Sequence, residues 1–300
     1  MTQKPLAVIF VPGIRPKPPA ELHAAQLRRC LSAGVLRADG SQPDADQLAA
    51  AFRLIGWSFG FYGEHGDISV DQPGIERLLA GQDSLGADRK EARSLGRRIN
   101  GVFYALSDRF PVLTDIFATR RMETRVAEMH RYFYDQDGEA TAARLMVADA
   151  LQNAWDHGQR VVLIGHSFGS VIAYDTLWEL GHLQDKPGKV DLFLTMGSPL
   201  TMNYIRRRLK GADRLSEDRY PATISRWINV AAMGEVTALG RKLSDCFAPM
   251  LQLGLVESII DDLALVNQFH GPDRLNVHKC YGYFASPVVG RILLEWLNES

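Results

Sequence analysis

Five short apolar runs alternate with amphipathic segments along this chain, and that alternation is what most constrains its fold. The runs that predict buried strands are Leu6–Val11, Phe52–Trp57, Arg160–Ile164, Val190–Met196 and Ile224–Val230. Helical patterns cover Leu22–Leu31, Ala140–His157, Val171–Leu180 and Val288–Leu297. Because strands that are apolar on both faces need helices against both faces, the sequence predicts an α/β fold with a mostly parallel central sheet.

The stretch from Phe59 to Asp137 has a different character. It is rich in Gly, Asp and Arg, carries aromatic clusters, and contains no run that predicts a strand. We therefore expect a helical insertion or cap at about residues 60–140. No repeat, low-complexity tract or Pro/Gly/Ser-rich linker divides the chain, so the sequence predicts a single domain over residues 1–300.

Charge and cysteine content exclude several classes of protein. Lys and Arg number 34 against 35 Asp and Glu, and this balance argues against a nucleic-acid-binding or anionic-membrane surface. The three cysteines, Cys30, Cys246 and Cys280, are too few and too scattered for a disulfide framework, and none forms a C-x-x-C pair. We find no spaced ligand set and no phosphate-binding glycine motif, so we expect neither a metal nor a cofactor.

The first apolar run is too short to be a targeting or membrane segment. Leu6–Val11 ends at Pro12 after six residues, whereas a signal sequence needs about 7–15 apolar residues and a membrane span about 20. We therefore expect no transmembrane segment and a cytoplasmic protein.

The segment that carries chemistry is Gly165-His166-Ser167-Phe168-Gly169. An apolar strand runs directly into this G-x-S-x-G motif, and a helical pattern begins directly after it. Glycines on both sides of a serine allow a strained strand-to-helix turn that leaves the hydroxyl exposed at the start of a helix. The motif therefore predicts a nucleophile elbow with Ser167 as the nucleophile.

A serine nucleophile needs a base, and three histidines follow Ser167 in the chain: His182, His270 and His278. His182 lies about four turns from the serine on the same helix, so it points away from the strand ends. His270 and His278 both precede the last helix, where a loop would return over the sheet. We favour His278 because the aromatic run after it can fix its ring, and His270 is the alternative.

The acid of such a triad lies between the serine and the histidine in the chain. Glu235 is the first carboxylate after the Ile224–Val230 strand, and Asp245 is the alternative. Asp261 and Asp262 are more distant candidates.

An oxyanion hole needs two backbone N–H donors. We expect one from Phe168, the residue after the nucleophile. The other should come from Ile14 or Gly13 in the loop after the first strand, since Pro12 has no N–H.

With these motifs the chain resembles the α/β-hydrolase superfamily, and within it the lipase-like serine esterases. Ile164–Gly169 is similar to the lipase elbow GHSLG, and Thr195–Leu200 with Asn203 is similar to the lipase stretch FGSPRVGN. Trp227–Val230 resembles the strand before the family's acid, and His278 with Tyr281 resembles its histidine segment. The resemblance covers residues 6–14 and 160–297 loosely, and residues 60–140 match no known pattern.

The resemblance implies a serine hydrolase that cleaves a carboxylic ester through an acyl-enzyme, acting on a small-molecule or lipid-like acyl substrate. The chain departs from the family in having Glu235 where an Asp is usual, and VPGI at residues 11–14 where HG is common. A thioesterase, amidase or acyltransferase would share the elbow. A hydrolase-fold binding protein without activity is the alternative from another class.

Overall fold

The computed structural model describes residues 4–81, 85–94, 120–183, 187–235, 242–272 and 274–299. In these residues, six parallel strands form one sheet in the order β2-β1-β3-β4-β5-β6. The strands are β1 Leu6–Val11, β2 Phe52–Leu54, β3 Arg160–His166, β4 Val190–Met196, β5 Ile224–Ala232 and β6 Ser258–Leu265. The predicted α/β fold with a parallel central sheet is confirmed.

The described helices lie between and after the strands. They are α1 Ala20–Arg37, α2 Gln42–Ala51, α3 Ser58–Tyr62, α4 Gln72–Leu79, α5 Leu85–Ala92, α6 Arg120–Tyr134, α7 Glu139–Asp156, α8 Gly169–Leu183, α9 Asn203–Arg206, α10 Leu243–Cys246, α11 Ala248–Gln252, α12 Cys280–Phe284 and α13 Pro287–Asn298. Helices α3 to α6 fall in the insertion expected at about residues 60–140, of which residues 82–84 and 95–119 lie outside the described residues. Across the described ranges, no helix has the length and apolar character needed to span a bilayer.

The strands are buried on both faces, which explains their continuous apolar sequence. Alternate side chains of a strand point to opposite faces of the sheet. Ile9 and Leu163 pack in one core with α7 and α8, and Val8 and Val162 pack in the other core with α1, α2 and α13. The sheet is therefore the middle layer of three.

The strand order reverses direction at β1. From β1 the chain moves outward to β2, then returns to place β3 on the other side of β1. In a parallel sheet, such a reversal leaves a crevice beyond the carboxyl ends of the two central strands. Val11 of β1 pairs with Gly165 of β3, and His166 pairs with Met196 of β4, so three strand ends are level at this crevice.

Strand β6 was not predicted, and β2 ends at Leu54 rather than at Trp57. Asp261 and Asp262 interrupt the apolar run of β6, so periodicity alone does not indicate a strand there. The carboxylate of Asp261 accepts hydrogen bonds from the N–H groups of Leu243 and Ser244 at 3.0 and 2.9 Å. The charge of Asp261 makes the sequence pattern unlike that of a buried strand. The N–H groups at the start of α10 supply the hydrogen bonds that this charge needs.

Thr195 links Trp227 and Asn229, two residues apart in β5, through its hydroxyl. Its Oγ1 accepts a hydrogen bond from Trp227 Nε1 at 3.1 Å and donates to Asn229 Oδ1 at 2.9 Å, and all three residues are buried. Thr195→Val keeps the shape but leaves one buried donor and one buried acceptor without this partner. We expect the free energy of unfolding to fall by about 2 kcal/mol, measured by urea denaturation.

The same substitution at Thr176 is the matched control. Thr176 is equally buried, and its hydroxyl donates to the carbonyl of Ile172 four residues earlier in α8. That carbonyl lies within the helix ladder and keeps its main-chain hydrogen bond, so Thr176→Val should cost clearly less than Thr195→Val. Equal losses in the two variants would contradict the role given to the Thr195 hydroxyl.

Candidate active site

Ser167 has the strained backbone that its motif predicts. Its φ is +53°, a left-handed conformation that residues other than glycine rarely adopt. The N–H of Ser167 donates to the carbonyl of Met196 at 2.9 Å, and its carbonyl accepts from Ser170 Oγ at 2.6 Å. Hydrogen bonds on both sides of the residue therefore hold the turn between β3 and α8.

The two motif glycines are required by close packing around this turn. A Cβ on Gly165 would lie 2.5 Å from the Cα of Ser170, and a Cβ on Gly169 would lie 2.1 Å from the carbonyl oxygen of Val11. Both distances are far below van der Waals contact. Only glycine at these two positions lets α8 start directly against the ends of β1 and β3.

Three of the predicted residues meet beyond the carboxyl ends of the strands. Nε2 of His278 lies 2.9 Å from Ser167 Oγ, and Nδ1 lies 2.8 and 2.9 Å from the two carboxylate oxygens of Glu235. A carboxylate only accepts, so Nδ1 carries the proton and Nε2 accepts from the serine hydroxyl. The loops after β3, β5 and β6 thus bring together a serine, a glutamate and a histidine.

Glu235 is a buried carboxylate with a second partner. Its side chain is 2% exposed, and its Oε1 accepts a hydrogen bond from the hydroxyl of Tyr283 at 2.8 Å. The same hydroxyl accepts from the N–H of Ala232 at 2.8 Å. Burial, and then the charge of Glu235, raise the pKa of Tyr283 well above its usual value, so the hydroxyl stays protonated and donates. Sequence reasoning missed this bond, although the aromatic run after His278 indicated support for the site.

His166 holds the backbone of His278. Its Nε2 donates to the carbonyl of His278 at 2.8 Å, and the side chain is buried. Burial, and then the neighbouring His278, lower the pKa of His166 well below its usual value, so the ring is neutral. The sequence carries no signal for this role beyond the position of His166 before the nucleophile.

The expected oxyanion donors lie on both sides of the serine. Phe168 N–H belongs to the elbow, and a Cβ on Gly13 would lie 2.8 Å from the Cβ of Ser167 and 3.3 Å from its Oγ. Within the described residues, none of the N–H groups of Phe168, Ile14 and Gly13 donates a hydrogen bond. All three are therefore free to bind a negatively charged oxygen, next to the N-terminus of α8.

The alternative acid and bases lie elsewhere. Asp245 is exposed on α10, and the ring of His270 lies 3.4 Å from the carboxylate of Asp88. The ring of His182 lies 2.9 Å from the carbonyl of Trp178 within its own helix. The structure therefore brings neither Asp245 nor either of these histidines into the hydrogen-bonded row at Ser167.

The last turns of α6 cover the elbow. The ring of Tyr132 meets that of Phe168 edge-on at 5.0 Å between centroids, and the ring of Phe133 lies 5.9 Å from it. The hydroxyl of Tyr132 also donates to Asp175 of α8 at 2.9 Å. The insertion thus contacts both the candidate oxyanion residue and the helix that follows the nucleophile.

Comparisons of the chain with protein-family models, with curated proteins and with solved structures find no match. The fold is an α/β sheet with helices on both faces, and its candidate site is a hydrogen-bonded row of serine, histidine and glutamate.

The buried carboxylate of Asp175 should make the free energy of unfolding depend on pH. It is 1% exposed, and burial raises its pKa from 3.8 to about 7. Between these values the folded protein holds a proton that the unfolded chain has lost, so this contribution to stability falls as pH rises. The unfolding free energy of Asp175→Asn minus that of wild type should therefore increase from pH 4 to 7, by at most about 1.4 kcal/mol per pH unit. Urea denaturation at several pH values measures this difference.

Asp149→Asn serves as the control for that series. Asp149 is exposed on α7, so Asp149→Asn shows how the same measurement responds when a surface carboxylate is removed. A flat difference between Asp175→Asn and wild type would show that the buried carboxylate does not titrate with folding.

Proposed function

We propose that this chain is a serine hydrolase of the α/β-hydrolase type that cleaves a carboxylic ester through an acyl-enzyme. The observation that carries the proposal is the unbroken row from Ser167 Oγ through His278 to the buried carboxylate of Glu235. A serine hydroxyl aimed at an imidazole that a carboxylate orients is the arrangement that activates serine for acyl transfer.

The order of these residues in the chain supports the same class. In α/β-hydrolases the nucleophile, the acid and the histidine follow one another in the sequence, and the nucleophile lies on a strand-to-helix turn. Here Ser167 follows β3, Glu235 follows β5 and His278 follows β6. The loop after β1 lies against the serine, where that class has its second oxyanion donor.

In the first half of the reaction, Ser167 Oγ attacks the acyl carbon while His278 Nε2 takes the hydroxyl proton. The carbonyl oxygen becomes an oxyanion, to which Phe168 N–H and Ile14 N–H donate hydrogen bonds. Glu235 stabilises the imidazolium that has formed. The bond from the acyl carbon to the alcohol oxygen then breaks, and His278 gives its proton to the leaving alcohol.

In the second half, water attacks the acyl-enzyme and His278 takes a proton from that water. A second oxyanion forms in the same position and collapses as the bond to Ser167 Oγ breaks. The proton on His278 returns to the serine, and the carboxylic acid leaves.

The surroundings of the serine favour an uncharged or lipid-like acyl group. Phe168 is buried next to the nucleophile, and the ring of Phe133 lies between it and the ring of Tyr204, at 5.9 and 6.4 Å. Ile14 packs on the same apolar cluster. An acyl chain in this environment gains free energy from burial of apolar surface, whereas a charged group would lose its hydration.

Labelling with a fluorophosphonate tests the proposed nucleophile and base together. The probe should form a covalent adduct on Ser167, located by peptide mass spectrometry. Ser167→Ala should abolish the adduct, and His278→Ala should slow it by about 10³-fold or more, because the serine then has no base.

The alternative residues provide matched controls. His270→Ala and Asp245→Asn should label within a few-fold of wild type, whereas Glu235→Gln should slow labelling by about 10³-fold because the imidazole loses its orienting charge. Rapid labelling of a serine other than Ser167, or loss of labelling in His270→Ala alone, would contradict the assignment.

Substrate comparison then tests the choice of ester. Esters, thioesters and amides that carry the same acyl group differ only in the leaving group, and we expect the ester to have the highest kcat/KM. Folded wild type that binds acyl compounds but neither labels nor turns over would favour the binding-protein alternative.

A further inference from the structure

The loop after β1 is held by three side chains that do not belong to the triad. Trp57 Nε1 donates to the carbonyl of Pro12 at 2.8 Å, and Lys17 Nζ donates to the carbonyl of Ile14 at 2.7 Å. The hydroxyl of Tyr62 accepts from the N–H of Arg15 at 2.7 Å. These bonds come from α3, from the residue before it and from the loop itself.

Two of these hydrogen bonds are made to the two ends of one peptide group. The carbonyl of Ile14 and the N–H of Arg15 belong to the same peptide plane, so Lys17 and Tyr62 together fix how that plane is turned. Trp57 holds the carbonyl of the Pro12–Gly13 peptide. The peptide between these two planes carries the N–H of Ile14, the candidate oxyanion donor.

The backbone at Arg15 needs such support. Its φ is +81°, a left-handed conformation that is sterically unfavourable for a residue with a side chain. The Arg15 N–H that starts this turn is the one that Tyr62 accepts. Without that hydroxyl, we expect Arg15 to lower its conformational energy by adopting a negative φ. The neighbouring Ile14 N–H would then change direction with it.

Aromatic neighbours hold the side chain of Tyr62 in place. Its ring lies 6.3 Å from that of Trp57 and 5.1 Å from that of Phe61, between centroids. The guanidinium carbon of Arg131, in α6, lies 4.1 Å from the centroid of the Phe61 ring. The same guanidinium donates a hydrogen bond to the backbone carbonyl of Phe61. Helix α6 therefore braces the short helix α3 that presents the hydroxyl of Tyr62 to the loop.

We propose that Tyr62 and Lys17 form a peptide clamp whose function is to aim the N–H of Ile14 at the oxyanion. Both are positioning residues, because they act through the Ile14–Arg15 peptide and do not touch the reacting atoms. The proposal rests on the proposed serine hydrolase function and adds to it the device that shapes the oxyanion hole.

Steady-state kinetics on a p-nitrophenyl ester that wild type hydrolyses tests the clamp. Tyr62→Phe should lower kcat by about 10- to 100-fold, because the donor acts mainly in the transition state, and should leave KM within about two-fold. Lys17→Met should act in the same direction, and Lys17→Arg, which keeps a donor, should recover most of the activity. Tyr134→Phe, at an exposed tyrosine of α6, is the matched control and should match wild type.

Rescue distinguishes positioning from general damage to the fold. Glycine adopts a left-handed backbone without strain, so adding Arg15→Gly to Tyr62→Phe should restore much of the lost kcat. Amide hydrogen exchange gives a second readout, in which the Arg15 N–H should exchange at least ten-fold faster in Tyr62→Phe than in wild type.

The outcomes separate the clamp from the proposed function. Wild type that labels at Ser167 while Tyr62→Phe keeps its full kcat overturns the clamp and leaves the hydrolase proposal intact. A fall in kcat that Arg15→Gly does not rescue, with slow exchange at Arg15, also overturns it. Wild type that neither labels nor hydrolyses any ester removes the proposed function, and the catalytic role of the clamp with it.

Discussion

The left-handed backbone of Ser167 is the constraint on which the rest of the site depends. A positive φ at a serine is unfavourable, so the turn persists only because Met196 and Ser170 bind its N–H and its carbonyl. The glycines on either side let β1, β3 and α8 approach more closely than any side chain permits. The strain and the close packing together present the hydroxyl where the loops after β1, β3, β5 and β6 meet.

The polar groups at this edge of the sheet satisfy one another. A buried carboxylate without partners costs several kcal/mol, and Glu235 avoids that cost because both His278 and Tyr283 donate to it. Tyr283 in turn accepts the N–H of Ala232, and neutral His166 donates to the backbone of His278. Glu235 and His278 are therefore held by residues of other elements, α12 and β3, which limits how far His278 can move from Ser167.

The apolar pattern of the sequence predicted the strands best where both faces of the strand are buried. Strands β1 and β4 have the bounds that their apolar runs predict, because both faces of the sheet are covered. Strand β6 was missed because Asp261 breaks the pattern, and its carboxylate accepts hydrogen bonds from α10, 17 and 18 residues earlier in the chain. Chain order indicated Glu235 and His278, since the loops of successive parallel strands end at the same edge.

The sequence by itself determined the layer architecture, the strand-to-helix turn at Ser167 and the chain order of Ser167, Glu235 and His278, because these follow from periodicity, from glycine spacing and from strand direction. The tertiary structure decided which histidine meets Ser167 and which carboxylate meets that histidine, since the sequence favoured His278 and Glu235 but left His270 and Asp245 as alternatives, and both of these lie outside the row. It also decided the supporting bonds of Tyr283 and Tyr62. Those bonds join residues 47 to 51 positions apart, two of them between a side chain and a backbone group, and no local pattern in a sequence encodes such contacts.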